Sequence, residues 1–425
     1  MLKKLFTSAG VFLAVFIIIS IAADLYYHER LTHNEDPTKT KWICHCDFRV
    51  FWIASRNMRY QIDENALPPK TSLNEFPVYD KAEKFYHFRY SPFGALAMTP
   101  IGMIPSPRAA LYAWYVILNT AMLSSLLVLI NALCANFNVT RAQRYIVLWA
   151  TAIVSMRFYL MDLAIGQIDV LIALFFVFFL ITYVRGRQLA AGIILALILQ
   201  FKPLFFPMLF YFFVTGRKKL VLSSITAFSF FLLAPAALIG FDKALVLLKD
   251  WREILGMSVP SQLLNYKNQS ITYFIGNLLI RNDYLKGLIS VKDLFYLIGA
   301  ALTLLVYIPA ARFLKFIKPR DKQKYRYAEI SALIIISLLF SPIAWVAHFI
   351  NLIIPFSVAV LFTLKSKKKK ALYFALGAFI VLSCALGTDI TNFIPVINKF
   401  HGINISVGTF FLAYALFSSY KKSAV

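Results

Sequence analysis

Apolar segments long enough to cross a membrane recur along the whole chain, and this feature leaves little choice of fold. A straight helix needs roughly 20 apolar residues to span the hydrocarbon core of a bilayer. Of the 425 residues, 60% are hydrophobic and only 15% are charged, far less charge than a soluble chain of this length carries. We therefore expect an all-α polytopic membrane protein, a single domain over residues 1–425, with about 12 transmembrane helices (within a range of about 10 to 13). The predicted spans lie near residues 6–23, 109–134, 144–163, 168–184, 188–201, 203–215, 219–240, 290–312, 329–345, 348–364, 371–388 and 404–419.

The distribution of basic residues predicts how the chain is oriented. The net charge is +24, and the termini and the loops between alternate spans are rich in Lys and Arg and poor in acids. The positive-inside rule places these loops and both termini in the cytoplasm. Because the basic residues lie in short loops rather than in a separate basic domain, we expect contact with anionic lipid headgroups and no binding of nucleic acid.

Two longer polar segments fall on the opposite, extracytoplasmic side. They are predicted loops at residues 24–90 and 241–289. The first ends in Tyr90-Ser91-Pro92, followed by an apolar stretch to Pro105 that is too short and too broken by proline to span. We expect helices of this large first loop to lie at the membrane surface, between water and lipid.

Asp47 is the first candidate for chemistry. It precedes Phe48, Phe51 and Trp52, which have the i, i+3, i+4 spacing of an amphipathic helix. One interpretation is a helix N-cap, because a carboxylate accepts hydrogen bonds from unpaired backbone N–H groups. The other is a general base that takes a proton from a substrate hydroxyl at the membrane surface. Asp24, at the outer end of the first span, is the rival base.

Further candidates are polar residues at or near membrane depth, where an ionisable group is costly and suggests a site. Lys202, in Lys202-Pro203, is either a snorkelling lysine or a cation for a lipid-linked phosphate. Trp345 and His348 lie three residues apart at a predicted outer turn and share a face near the headgroups. The remaining candidates are Arg157, Asp162, Gln167 and Asp169 around one turn, and Asn268, which either caps a helix or presents its amide to a sugar.

The cysteines do not predict a metal site. Cys44, His45 and Cys46 form a triplet, but no second Cys/His cluster with metal-site spacing completes it. The sequence also carries no P-loop and no dinucleotide fingerprint. We therefore expect neither a metal nor a cofactor.

Taken together, these motifs resemble a known family. In order, they are Asp47-Phe-x-x-Phe-x-x-Ala54, Tyr90-Ser91-Pro92, Gly166-Gln167, Lys202-Pro203, Asn268-Gln269-Ser270 and Ser341-Pro342-x-x-Trp345-x-x-His348. This order resembles the bacterial polyprenyl-phosphate-mannose-dependent alpha-mannosyltransferases, which are glycosyltransferase family 87 of the GT-C superfamily. The resemblance implies a GT-C-type fold in the bacterial cytoplasmic membrane, with its active site at the extracytoplasmic surface.

The resemblance also implies a reaction and a set of roles. A hexose such as mannose would pass, with inversion, from a polyprenyl-phosphate donor to a lipid or glycan acceptor. Asp47 matches the first-loop acid of the family and would be the general base. The expected donor-phosphate ligands are Lys202, His348 and, as a weaker candidate, Arg49; the expected substrate-binding residues are Gln167, Asn268, Tyr90 and Trp345.

Two other classes of function remain open from the sequence. A secondary transporter or lipid-linked-sugar flippase would share the number of spans, but it would typically show an internal repeat and polar residues near the bilayer midplane. A lipid-linked glycan polymerase or ligase would have a similar outward-facing site and a diphosphate-linked donor. The clustering of candidates near the outer surface favours an enzyme over a transporter.

Overall fold

The described part of the chain is helical. The computed structural model describes residues 8–32, 47–69, 71–81, 87–263, 265, 267–281, 322–366, 369–385 and 404–423, together with a few single positions between 293 and 305. The α-helices in these ranges are α1 (Ala9–Thr32), α2 (Asp47–Ile62), α3 (Pro92–Ala97), α4 (Thr99–Gly102), α5 (Pro107–Asn136), α6 (Arg141–Ile165), α7 (Asp169–Val184), α8 (Gln188–Phe201), α9 (Pro207–Val214), α10 (Lys218–Leu233), α11 (Ala236–Ile239), α12 (Phe241–Leu263), α13 (Ile271–Arg281), α14 (Lys322–Phe340), α15 (Ile353–Lys365), α16 (Lys369–Ile380) and α17 (Asn404–Ser423). Short 3₁₀ helices occupy Glu64–Ala66, Leu73–Glu75, Pro203–Phe205 and Val346–Leu352, and a π-helical turn occupies Val381–Ala385.

Several of these helices identify a membrane protein, as the sequence predicts. Within the described residues, five are long and apolar enough to cross a bilayer: Ala9–Glu29, Pro107–Asn136, Arg141–Ile165, Lys218–Ile239 and Val346–Lys365. Shorter apolar helices occupy Asp169–Val184, Gln188–Phe201, Pro203–Val214 and Asn404–Ser419. The total of about 12 spans stays a prediction, because the turn at 389–403 and all but a few single positions of the predicted span at 290–312 lie outside the described residues.

The break at Lys202-Pro203 is present in the structure. Helix α8 ends at Phe201, a 3₁₀ turn follows, and α9 begins at Pro207. Proline has no backbone N–H and clashes with the preceding turn, so it ends a helix in this way. The two halves remain separate, and Lys202 lies at the junction.

Helix α2 forms as its pattern predicts. It begins at Asp47 and buries Phe48, Phe51, Trp52 and Met58 along one side. The short helices α3 and α4 pack against it, and the indole N–H of Trp52 donates to the carbonyl of Ile104 at 3.2 Å. This part of the first predicted loop is therefore fixed in place by its own apolar core.

Helix α12, from the second predicted loop, docks onto the first. Lys81 lies 2.6 Å from both Asp250 and Glu253, and the indole N–H of Trp251 donates to the carbonyl of Arg89 at 2.9 Å. The ion pairs are exposed and contribute little stability individually. Together with the hydrogen bond from Trp251, they nevertheless hold α12 beside the residues that precede Tyr90.

Candidate functional site

The turn between α6 and α7 allows α2 to approach closely. Gly166 ends α6 with φ of 65°, in the left-handed region that glycine adopts without strain. A Cβ atom on this residue would lie 2.4 Å from Cβ of Phe48, so a side chain here would push α2 away. The indole N–H of Trp114 donates to the Gly166 carbonyl at 3.1 Å and holds the turn in place. The absence of a side chain therefore brings the start of α2 against Gln167.

Asp47, Gln167 and Tyr90 form a hydrogen-bonded chain. The amide of Gln167 donates to Oδ2 of Asp47 at 2.6 Å, and its oxygen accepts from the Tyr90 hydroxyl at 2.8 Å. Asp47 remains partly exposed. Burial raises the pKa of the Asp47 carboxyl above its usual range, while the charges of Lys202 and Arg89 and the bond from Gln167 oppose this effect. The carboxylate is thus oriented and open to approach, which a general base requires.

Lys202 forms a buried ion pair close to this chain. Its Nζ lies 2.9 Å from Oδ2 of Asp169, and the two residues are 4% and 0% exposed. The same Nζ lies 5.6 Å from the centre of the Tyr90 ring. Asp169 is the first residue of α7, where the positive end of the helix dipole favours a carboxylate.

His348 approaches the same carboxylate. Its Nδ1 accepts from the backbone N–H of Trp345 at 3.2 Å, so the proton of the neutral ring is on Nε2. That Nε2 lies 3.9 Å from Oδ2 of Asp169. Lys202 and His348, which are 146 positions apart in sequence, therefore converge on one acid.

Asn268 holds the loop that precedes His348. Its amide donates to the carbonyl of Pro342 at 2.8 Å, and its oxygen accepts from Ala344 N at 2.9 Å and Ser270 N at 3.1 Å. These backbone contacts position the 341–345 segment. A contact between Asn268 or Trp345 and a sugar stays a prediction.

Two other predicted residues lie apart from this group. Arg49 is two residues after Asp47 on α2, so it points about 200° away around the helix axis. Asp24, on α1, accepts from Asn119 at 2.5 Å, and Asn119 in turn accepts from Tyr159. Within the described ranges, Asp24 shares no hydrogen bond or ion pair with Asp47 or Gln167, and the choice between the two acids as base stays a prediction.

The sequence did not single out Arg89 or the pairing role of Asp169. Arg89 lies next to Tyr90, and its charge lowers the pKa of Asp47. With its amide turned toward the guanidinium, the Gln262 oxygen accepts from Arg89 at 2.6 and 2.8 Å. The adjacent Tyr-Ser-Pro motif was the available signal for Arg89. Asp169 is a charged residue at predicted membrane depth, but nothing in the sequence pairs it with Lys202.

Metal binding has no candidate in the described ranges. They hold no group of three or more His, Cys, Asp and Glu side chains arranged to bind an ion. The Cys44-His45-Cys46 triplet lies outside them. What the site does provide is a partly exposed carboxylate, held by an amide, beside a buried lysine and a histidine.

Comparison with known proteins identifies the family. The sequence model of glycosyltransferase family 87 matches residues 88–342, more than half of the chain. This range includes Tyr90, Gln167, Asp169, Lys202 and Asn268, whereas Asp47 and His348 lie outside it. A search of curated proteins finds no match. The chain is a membrane protein that belongs to glycosyltransferase family 87, and it is therefore a glycosyltransferase that requires a sugar donor and an acceptor.

Proposed function

We propose that this glycosyltransferase moves a hexose, with mannose as the first candidate, from a polyprenyl-phosphate donor to a lipid or glycan acceptor. The observation that carries the proposal is the position of Asp47. Gln167 holds its carboxylate at 2.6 Å, and the charge of the Lys202–Asp169 pair acts on it. A single oriented base beside cationic and N–H donor groups suits an inverting transfer from a phosphate leaving group.

The reaction follows from these roles. The acceptor hydroxyl gives its proton to Asp47 while its oxygen attacks the anomeric carbon of the sugar. The bond from that carbon to the phosphate oxygen breaks, and its electron pair leaves with the polyprenyl phosphate. Negative charge therefore grows on the phosphate in the transition state, where fixed donors lower the barrier.

Lys202 and His348 are the proposed donors to the departing phosphate. An ammonium group has three N–H donors, and the bond to Asp169 uses one of them. The protonated Nε2 of His348 faces the same region. Tyr90 and Gln167 would orient the sugar or phosphate beside Asp47, Trp345 would contact the substrate, and Arg49 is the weakest candidate for the phosphate.

We also propose the location of the reaction. The protein would lie in the bacterial cytoplasmic membrane as one domain, with both termini in the cytoplasm and Asp47 at the extracytoplasmic surface. The support is the charge at the two ends of α7. This helix begins at Asp169, near Asp47, and its other end is followed by Arg185 and Arg187. Basic loops face the cytoplasm. Labelling of single cysteines by an impermeant reagent would test this arrangement, with Thr71→Cys expected to react from outside and Arg187→Cys only after the membrane is opened.

Purified protein in lipid nanodiscs would test the donor. It would be incubated with a membrane glycolipid fraction as acceptor and, in separate reactions, with radiolabelled polyprenyl-phosphate mannose or a labelled diphosphate-linked oligosaccharide. We expect label transfer from the monophosphate donor alone. Transfer from the diphosphate donor would instead indicate a polymerase or ligase, and transfer from neither, with movement of the lipid-linked sugar across vesicles, would indicate a transporter.

A further inference from the structure

The charge of Lys202 is already compensated in this structure. Its ammonium group lies 2.9 Å from Asp169, and Asp162 lies near enough to interact with both. Two buried acids thus accompany one buried lysine. Lys202 can still donate a hydrogen bond to a phosphate, but its charge alone does not make this region attractive to an anion.

Arg89 is a cation of a different kind. Its side-chain partner is the oxygen of Gln262, a neutral group, at 2.6 and 2.8 Å. Its Nε is buried and has no hydrogen-bond partner among the described residues. Among the residues that the structure describes, no ion pair to an acid is found for Arg89. Within the described residues, the charge of this partly buried guanidinium is therefore not compensated by a direct ion pair, and a guanidinium of this kind can bind an oxyanion.

Arg89 also lies beside the residues that orient Asp47, the proposed base. It directly precedes Tyr90, whose hydroxyl bonds to the amide that holds Asp47, and its charge acts on Asp47 itself. The Arg89 backbone is fixed by the indole of Trp251, and its side chain by Gln262, so helix α12 holds it at both ends. A guanidinium presents its N–H groups in a planar fork that matches two oxygens of a phosphate.

We propose that Arg89, held by Gln262, binds the phosphate of the sugar donor and supplies the positive charge that the Lys202–Asp169 pair cannot. This inference rests on the proposed polyprenyl-phosphate donor. It assigns Arg89 to substrate binding and gives Gln262 a positioning role. Lys202 and His348 then act as hydrogen-bond donors to a group whose charge Arg89 balances.

Two ligands that differ only in the phosphate test the proposal: a polyprenyl monophosphate, and the polyprenol of the same chain length. Binding of each to the full-length protein in nanodiscs would be measured for the wild type and for two variants. Arg89→Gln removes the cation. Gln262→Glu keeps Arg89 but places a carboxylate where the amide oxygen lies, so that an internal ion pair neutralises the guanidinium. Arg252→Gln, an exposed arginine on the same helix α12, is the matched control.

We expect both variants to bind the monophosphate about 10- to 100-fold more weakly, because each loses a charge-assisted contact. Polyprenol binding should be unchanged in both, and Arg252→Gln should behave as the wild type. If Arg89 serves only to dock α12, Gln262→Glu would strengthen that docking and leave monophosphate affinity unchanged, which would overturn the proposal.

Different binding results would contradict the proposed polyprenyl-phosphate donor itself. A wild-type protein that binds the monophosphate no better than the polyprenol would contradict the polyprenyl-phosphate donor. It would also contradict the role of Arg89, which rests on that donor. A wild type that prefers the monophosphate, with both variants equally selective, would retain the donor and remove only Arg89. Loss of affinity for both ligands in Gln262→Glu would also overturn the proposal, since a neutralised phosphate site should not affect the lipid chain.

Discussion

A buried acid lies at each end of helix α7, and the two acids differ in how fully their oxygens are hydrogen-bonded. At one end, Asp169 pairs with Lys202 at 2.9 Å, but its second oxygen is buried and has no partner in the described part of the chain. At the other end, roughly 24 Å away along the helix, Glu329 of α14 accepts from the hydroxyl groups of Tyr183 at 2.6 Å and Tyr211 at 2.7 Å. Both oxygens of Glu329 are thus satisfied, whereas the Asp169 carboxylate is half satisfied.

This difference separates a structural cluster from a candidate active site. A fully bonded buried network fixes the packing of the helices that contribute to it. Around Glu329 these are α7, α9 and α14, and Arg326 completes the end of α7 by donating to the carbonyl of Val184 at 2.6 Å. A buried polar atom without a partner costs stability and persists where it has another use. Within the described residues, the Asp169 carboxylate has such an atom whereas the Glu329 carboxylate does not, and Asp169 is at the end next to Asp47.

The largest effect should follow from removing the base. Asp47→Asn keeps the size of the side chain and its contact with Gln167 but cannot take a proton. We expect the rate of sugar transfer to fall by about 10²- to 10⁴-fold. Thermal stability should stay equal or rise, because burial disfavours the charged form that is lost. Steady-state transfer assays and a thermal melt in detergent would measure the two quantities.

Asp24→Asn is the matched control for Asp47→Asn. It removes the rival candidate base, which contacts Asn119 rather than the group around Gln167. Transfer should continue at near the wild-type rate. If Asp24→Asn abolished transfer and Asp47→Asn left it intact in a folded protein, the assignment of the base would be reversed.

The next effect concerns the Lys202–Asp169 pair. Lys202→Met should leave a fully buried carboxylate without its counter-ion and lower the free energy of unfolding by about 3–5 kcal/mol. The double variant Lys202→Met/Asp169→Asn should recover most of this loss, because neither charge remains. Transfer should stay impaired in the double variant, since the ammonium donors are gone. Unfolding and transfer would be measured on all four members of the cycle.

A double variant that recovers both stability and transfer would show that the pair only supports the fold. The Asp169 end of α7 would then resemble the Glu329 end. Equal stability of Lys202→Met and the wild type would contradict the burial of the pair.

A smaller and purely structural effect is expected at the other end of α7. Glu329→Ala leaves the hydroxyl groups of Tyr183 and Tyr211 without their acceptor and opens a cavity among three helices. The free energy of unfolding should fall by about 2–4 kcal/mol, while the transfer rate per folded molecule stays unchanged. A melt and an assay at a temperature below the transition would measure both, and a selective loss of transfer would show that this cluster takes part in the reaction.

Helix type and local breaks could be predicted from the sequence because they depend on nearby residues. The apolar spacing after Asp47 gives α2, and Lys202-Pro203 gives the break between α8 and α9. The approach of Asp47 to Gln167 has a local cause too, namely the glycine that precedes Gln167. These features use periodicity and the backbone limits of Pro and Gly.

The partners of the charged residues could not be predicted in this way. Asp162 and Arg157 lie five positions apart on one helix, yet Asp162 accepts from Val170 N at 3.0 Å, and Arg157 donates to the carbonyl of Ser383. Lys202 finds its acid 33 positions away, and Arg89 finds Gln262 on helix α12. Such pairs depend on how helices pack, which a single sequence does not encode locally.

The smallest predicted effect is a shift in pH dependence, and it links Arg89 to the base. Burial raises the pKa of Asp47, and the positive charge of Arg89 opposes that rise. Arg89→Gln removes the opposing charge, so the pKa of Asp47 should rise further and a smaller fraction should be ionised at a given pH. The acid limb of kcat/KM, which reports the free enzyme, should therefore move to higher pH. Arg252→Gln, with its exposed charge, should leave the limb in place. An acid limb that stays fixed in Arg89→Gln, or moves to lower pH, would mean that Arg89 does not act on the ionisation of Asp47; the difference between the two ends of α7 would then rest on Lys202 and Asp169 alone.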